Sequence, residues 1–272
     1  MAACDLKTDM KALSIGYHDV LEPGASAAAP PDVLLYCLDR GDFCEHLGFI
    51  GRRARRAIKT ITGFHPWEGE VPLFLTFDDG GAGMFTCAID ELELRGWRGH
   101  FFITTDWIGK PGFLTARQIR EIHERGHVIG SHSCSHPARM SHLAWNDLKR
   151  EWGASCARLA DIVGARIAVA SVPDGYHSPK VAEAAALCGI EALFTSEPTS
   201  RVGAVNRCLV LGRYTVLRGT RPALSGALAA GHLWPRWRQA MAWQAKKAVK
   251  NVAGEHYLRI RQALLTRGVF GA

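Results

Sequence analysis

Short apolar runs alternate with longer stretches of helical spacing along most of the chain. ALSIGYH (12–18), VPLFLTF (71–77), GHFFIT (99–104), HVIGSH (127–132) and RIAVASV (166–172) read as strands, followed by ALFTS (192–196) and CLVLGRYTVL (208–217). Between them, FTCAIDELELRG (85–96), TARQIREIHERG (115–126), HLAWNDLKREWGASCARLADIVG (142–164) and PKVAEAAALCG (179–189) repeat apolar residues at helical intervals. Several of these end in glycine, a common helix terminator. Strands alternating with helices of this length predict parallel βαβ units, hence an α/β sheet or barrel. EPGASAAAPPD (22–32) reads as a small-residue loop. After about residue 221 the strand pattern gives way to helical, basic sequence. The chain therefore divides into a domain over 1–220 and an appendage over 221–272.

In parallel α/β folds, reactive residues collect at the C-terminal ends of strands. Two informative stretches stand there. LTFDDGGAG (75–83) ends an apolar run in Asp78 and Asp79, and GSHSCSHP (130–137) places His132 and His136 four residues apart. Taken singly, each has an ordinary explanation, a turn or helix cap for the aspartates and coincidence for the histidines. Together they offer two imidazoles and a carboxylate, three protein ligands with an open position, the pattern of a catalytic zinc site. The second carboxylate of the pair is then free to act as a base toward water.

TFDDG at 76–80 and HSCSH at 132–136 resemble the first two motifs of the polysaccharide deacetylase family, the NodB-homology or carbohydrate esterase 4 group. The resemblance covers roughly residues 10 to 220. It implies a distorted (β/α) barrel, a divalent metal and hydrolysis of an N-acyl, sometimes O-acyl, group on a sugar. Zinc is the expected ion, with Co2+, Mn2+ or Fe2+ as alternatives that suit the same ligands. By this resemblance Asp78 is the catalytic base, Asp79 a metal ligand, and His132 and His136 the other two ligands. The third motif departs from the family's Arg-x-Pro pattern. SVPDGYHSP (171–179) has Ser171 where arginine is expected, keeps Pro173, and offers a backbone N–H at Asp174 or Gly175 for the oxyanion. The missing base-orienting cation is looked for at Arg213. The family's Leu-x-His motif, source of the general acid, has no clean match. His18, His177 and His232 are the available proton donors, and His18 follows the first strand onto the active face.

Composition adds limits. The chain has 272 residues, 47% apolar and 22% charged, with a net charge of +7, ordinary for a globular protein that favours anionic partners. The N-terminal sequence lacks the apolar core of an export signal, and no window is apolar enough to span a membrane, so a cytoplasmic address is expected. The eight cysteines form no C-x-x-C pair and read as reduced thiols. GRRARRAIK (51–59) reads as one short arginine-rich helix, either solvated or in contact with phosphate. The segment 233–268 carries eight Lys/Arg against Glu255, interleaved with Trp234, Trp237 and Trp243, the composition of an interfacial helix at an anionic membrane or of a helix docked on the barrel. No nucleic-acid motif accompanies this charge, so nucleic acid is not an expected partner. The expected substrate is an acylated aminosugar or a lipid- or nucleotide-linked glycan precursor. Alternatives are a glycan-binding scaffold that has lost turnover and an amidase for a non-sugar compound.

Overall fold

The computed structural model describes residues 10–245 apart from 23, 25–30, 66, 68 and 176, together with residue 247. In chain order the first half holds β1 (Leu13–Tyr17), β2 (Val20–Leu21), α1 (Pro31–Leu34), β3 (Leu38–Asp39), α2 (Arg40–Arg53), β4 (Leu73–Phe77), α3 (Ile89–Glu93), β5 (His100–Ile103) and α4 (Ala116–Glu124). The second half holds β6 (Val128–Ser131), α5 (Trp145–Val163), β7 (Val169–Ser171), α6 (Pro179–Leu187), β8 (Ala192–Phe194), β9 (Gly203–Val205), β10 (Cys208–Leu211), β11 (Tyr214–Thr215) and α7 (Pro222–Ala229). Helical residues 233–245 follow.

Nine strands form one sheet in the order β11-β1-β4-β5-β6-β7-β8-β10-β9, parallel except for β9. The order itself demands curvature. β10 and β11 lie some seven strand spacings apart along the sheet, roughly 33 Å if it were flat. Only Gly212 and Arg213 separate them in sequence, and three peptide steps reach at most about 11 Å. The sheet must therefore curl until its edges approach, leaving a seam where β10 passes to β11. The expected continuous strand over 208–217 is thus two strands on opposite sides of that seam.

Strand periodicity sorts the side chains. Leu73, Leu75 and Phe77 of β4, with Phe101 and Ile103 of β5, face outward into the main core beneath the helices. Phe74, Phe102 and Phe194 face the barrel interior, their rings 5.4–6.0 Å apart. Helices form where the sequence predicts them, with small differences at their ends. The 85–96 segment opens with a π-helical turn at Met84–Ala88 before α3. A capping box between Thr115 and Gln118 starts α4, and Gly164 in the left-handed conformation ends α5.

Three expectations need correction. The arginine-rich segment is not one helix: α2 ends at Arg53, and Lys59 N–H and Leu73 N–H bond across to Leu73 O and Ala57 O instead. Pairing beside β4 satisfies backbone groups that a continued helix would have bonded internally. The loop expected over 22–32 ends early where α1 begins, and 23 and 25–30 lie outside the described residues. Residues 222–229, assigned by composition to the appendage, pack as α7 on α2 and β1. Leu228 and Ala229 enter the core there, and Ser225 Oγ lies 2.6 Å from His46 Nδ1. The seven described cysteines are all free thiols.

Candidate active site

Inward-facing positions of four strands converge at one mouth of the barrel. Continuing the alternation of Ser14 and Gly16 brings His18 inward from β1, that of Phe74 and Thr76 brings Asp78 from β4, and that of Gly130 brings His132 from β6. Ser171 is the inward residue ending β7. Arg213, inserted from the seam, meets them. Its guanidinium bonds both carboxylate oxygens of Asp78, Nη1 to Oδ1 at 2.6 Å and Nη2 to Oδ2 at 2.8 Å. Nη2 also donates to Ser171 Oγ at 2.8 Å, and that hydroxyl donates to Asp78 Oδ2 at 3.3 Å. Arg213 and Asp78 are both buried, so the pair works in a medium that screens it little. Burial alone would raise the Asp78 pKa, but the charges of Arg213 and His132 and the Arg213 hydrogen bonds hold it below the usual carboxylate range.

Strand alternation would send Asp79 away from Asp78. A φ of 80° prevents this, a left-handed conformation that a side-chain-bearing residue adopts at some cost. Its carboxylate turns toward the histidines, with Oδ1 3.3 Å from His132 Nε2 and 3.5 Å from His136 Nε2. The following glycines have a steric purpose. A Cβ on Gly81 would fall 2.2 Å from Asp19 Oδ2, and one on Gly83 1.8 Å from Val20 O. Asp19, between β1 and β2, packs against this turn and accepts the Val20 N–H, and burial pushes its pKa up to about 7.

The histidine loop is equally constrained. Ser133 and His136 have φ of 65° and 55°. The buried carboxylate of Glu151 on α5 accepts the N–H groups of Cys134 and Ser135 at 2.9 and 3.0 Å and the Ser135 hydroxyl at 2.8 Å. Trp107 stacks on the His136 ring with centroids 5.1 Å apart.

The donor set fits a cation. One ligand atom each from Asp79, His132 and His136 lies within 4.8 Å of the others. His132 Nδ1 lies 3.0 Å from Ser171 O, an acceptor that commits the ring proton to that nitrogen. The lone pair of Nε2 then faces the lone pairs of Asp79, an arrangement a positive ion between them resolves. Protonated, the histidines are themselves the partners of Asp79: burial raises its pKa, but their hydrogen bonds bring it well below 3.8. Burial lowers the pKa of His136, and the Asp79 carboxylate more than reverses this.

His18 lies at the same mouth. Its ring is 4.6 Å from that of Tyr36, and its buried Nδ1 has no hydrogen-bond partner among the described residues. Burial lowers its pKa, opposed by the carboxylates of Asp79 and Asp78. Pro173–Gly175 forms a 3-10 turn beyond Ser171, with Asp174 at φ 51°, and the Asp174 charge acts on His136. His177 and His232 are not brought to the mouth. The electrostatic neighbours of His177 are Glu197 and Lys247, and His232 is exposed beyond α7. Glu151, Trp107, Asp19 and Tyr36 also support the site and are not legible in the sequence. None carries a motif signal, since each belongs to an unremarkable helix or turn and gains its place only by folding.

The fold has counterparts among solved deacetylases. Residues 68–193, a little under half of the chain and including both motifs, match the polysaccharide deacetylase family model, in agreement with the resemblance read from those motifs. The fold is shared with Streptococcus pyogenes deacetylase PplD, solved in complex with acetate, at a TM-score of 0.64 and 18% identity over 79% of this chain and 96% of that one. IcaB from Ammonifex degensii gives 0.62 and 19%, covering 81% of this chain and 97% of that one. BC0361, a polysaccharide deacetylase from Bacillus cereus, gives 0.66 and 18%, covering 80% and 69%. YxkH of Bacillus subtilis (strain 168) is 25% identical over 162 residues, 59% of this chain and 56% of that protein. A 30.6 kDa protein of Geobacillus stearothermophilus is 30% identical over 93 residues, a third of each length. These two matches span about half or less of the curated relatives.

Proposed function

We propose that the protein is a metal-dependent hydrolase that removes an N-acyl group, acetyl or formyl, from an aminosugar. The observation that carries this reading is the division of labour between adjacent aspartates, Asp78 locked by Arg213 and Ser171, Asp79 turned to two imidazoles. In this mechanism Asp78 takes a proton from the water that attacks the acyl carbonyl. Arg213 and Ser171 hold the carboxylate ionised and aimed. A backbone N–H of the Pro173–Gly175 turn supports the negative charge that develops on the carbonyl oxygen. His18 delivers the proton that the departing amine requires. A divalent ion on Asp79, His132 and His136, most simply zinc, would supply Lewis-acid activation.

The substrate we propose is a lipid- or nucleotide-linked glycan precursor of cell-surface polysaccharide or lipopolysaccharide, handled in the cytoplasm. No helix among the described residues is long and apolar enough to cross a membrane. The scaffold alternative drew on the absent motif arginine, and Arg213 supplies a cation in its place. The test is acetate or formate release from acylated aminosugar oligomers by zinc-loaded protein, with Asp78→Asn as control. Wild-type protein that binds such glycans but releases no acid would leave the scaffold reading in its stead.

A further inference from the structure

Two sequence features far apart in the chain meet on one surface. Leu233, Trp234, Trp237 and Met241 are 76%, 67%, 54% and 52% exposed. They are four of the seven large exposed hydrophobics among the described residues, gathered in nine positions of one helix. Trp234 and Trp237 stack at 5.2 Å and 24°. The opposite side of the same helix is committed to the barrel. Arg236 donates to Tyr214 Oη at 2.9 Å and to Ser200 Oγ at 2.5 Å, and Gln239 donates to Thr215 O at 3.3 Å. The stripe is therefore not a core face waiting to dock on its own domain.

The arginine-rich segment after α2 lies alongside. Arg56 donates to Ala229 O at 3.4 Å, and its guanidinium crowds Gly231, two residues before Leu233. Arg53, whose side chain reaches Gly226 of α7, and Arg55 are exposed next to it, and Arg238 and Lys247 are exposed on the aromatic helix itself. A contiguous aromatic and aliphatic stripe flanked by cations matches an interface whose interior is apolar and whose surface is negative. A solvated helix face would explain the charge but not the tryptophans.

We propose that this surface docks on an anionic lipid bilayer, with Trp234 and Trp237 at headgroup depth and the arginines on the lipid phosphates. The placement also sets orientation. Ser200 O accepts the Ala12 N–H just before β1, so the start of the stripe lies at the N-terminal ends of the strands. Asp78 and His132 lie at the C-terminal ends. The basic start of the stripe thus sets the N-terminal ends of the strands against the bilayer, with the helix running from there toward the catalytic turn. The proposal stands apart from the catalytic reading, because its test measures no activity.

The full chain is sedimented with vesicles of phosphatidylglycerol and phosphatidylcholine, or of phosphatidylcholine alone, at low and high salt. Wild-type protein is expected to partition to the anionic vesicles at low salt with blue-shifted tryptophan fluorescence, and to be released by salt. Trp234→Ser/Trp237→Ser and Arg53→Gln/Arg55→Gln should each weaken partitioning about ten-fold or more, with melting temperatures unchanged. No partitioning of wild type at low salt overturns the proposal. So does binding indifferent to the tryptophans, which would be surface charge alone, or binding indifferent to the arginines. A chain that is dimeric in light scattering, made monomeric by the tryptophan substitutions, and that ignores vesicles would mean the stripe pairs with a second copy instead.

Discussion

Arg213 and Asp78 form a buried pair whose partners come from opposite ends of the domain, and each depends on the other. In Arg213→Gln the Asp78 carboxylate is left buried without its cation. Removing one partner of such a pair costs about 3–5 kcal/mol. Burial would then be opposed only by the nearby histidines, so the Asp78 pKa rises and the acid limb of the kcat/KM profile moves to higher pH. Arg213→Lys keeps the charge but not the two-pronged fork, so it should show a smaller shift. An unmoved acid limb in the glutamine variant would show that the base lies elsewhere. The two aspartates should separate cleanly: Asp78→Asn loses turnover with metal content near wild type, whereas Asp79→Asn loses metal. Metal analysis beside a rate assay checks this, and equal metal loss in both contradicts the assignment.

Two histidines outside the site make a pH prediction. His100 Nε2 accepts the Ile61 N–H at 2.9 Å with Nδ1 against Leu75 O, and His127 Nδ1 accepts the Gly99 N–H at 3.1 Å. Each ring therefore needs one bare nitrogen, and burial lowers each pKa from 6.5 to about 4. Between those values the unfolded chain takes up protons that the native chain refuses. Stability should fall as pH drops from 6.5 toward 4, by up to about 1.4 kcal/mol per pH unit for each ring. Melting curves across that range test it, and His100→Gln should flatten the slope.

At the scale of elements, the histidine loop is held by a helix rather than by its own sequence. Glu151 on α5 accepts three hydrogen bonds from Cys134 and Ser135. Glu151→Gln keeps the shape but replaces one acceptor oxygen with a donor group, so at least one of these bonds is lost. Metal affinity should fall about 10–100-fold, the range found when groups that support metal ligands are changed. Competition with a chromophoric chelator measures it, and unchanged affinity would make Glu151 a packing residue only.

For the whole molecule, helical residues 233–245 run along the barrel from Ser200 to the catalytic turn. Arg236 and Gln239 bond to the barrel, and the Trp243 ring lies where a Cβ on Gly175 would come within 2.5 Å of it. Deleting 233–272 should therefore lower the melting temperature by several degrees, in the manner of about 1–2 kcal/mol lost from a domain of this size. It should also lower turnover on a small soluble substrate, through the loosened turn. A truncated chain with wild-type melting and turnover would show the segment to be independent. The basic residues from 248 onward, part of the expected interfacial segment, lie outside the described residues.

The sequence by itself determined the alternation of strands and helices, the two motifs and the ends of strands on which they stand. Those features are local: a period of two or of 3.6, a run of glycines, a spacing of four. It offered Arg213 as the cation for Asp78 without a means of joining them, because nothing local connects Arg213 to a residue 135 positions earlier. Closure of the sheet decided that, by forcing Gly212 and Arg213 across the seam and aiming the guanidinium down the barrel. Tertiary structure likewise ended the arginine-rich helix at Arg53, since pairing beside β4 satisfied the next backbone groups. It drew Glu151 under the histidine loop and brought Arg56 to the foot of the tryptophan helix. Periodicity fixes which face a side chain takes; which distant face it meets is fixed only when the sheet curls.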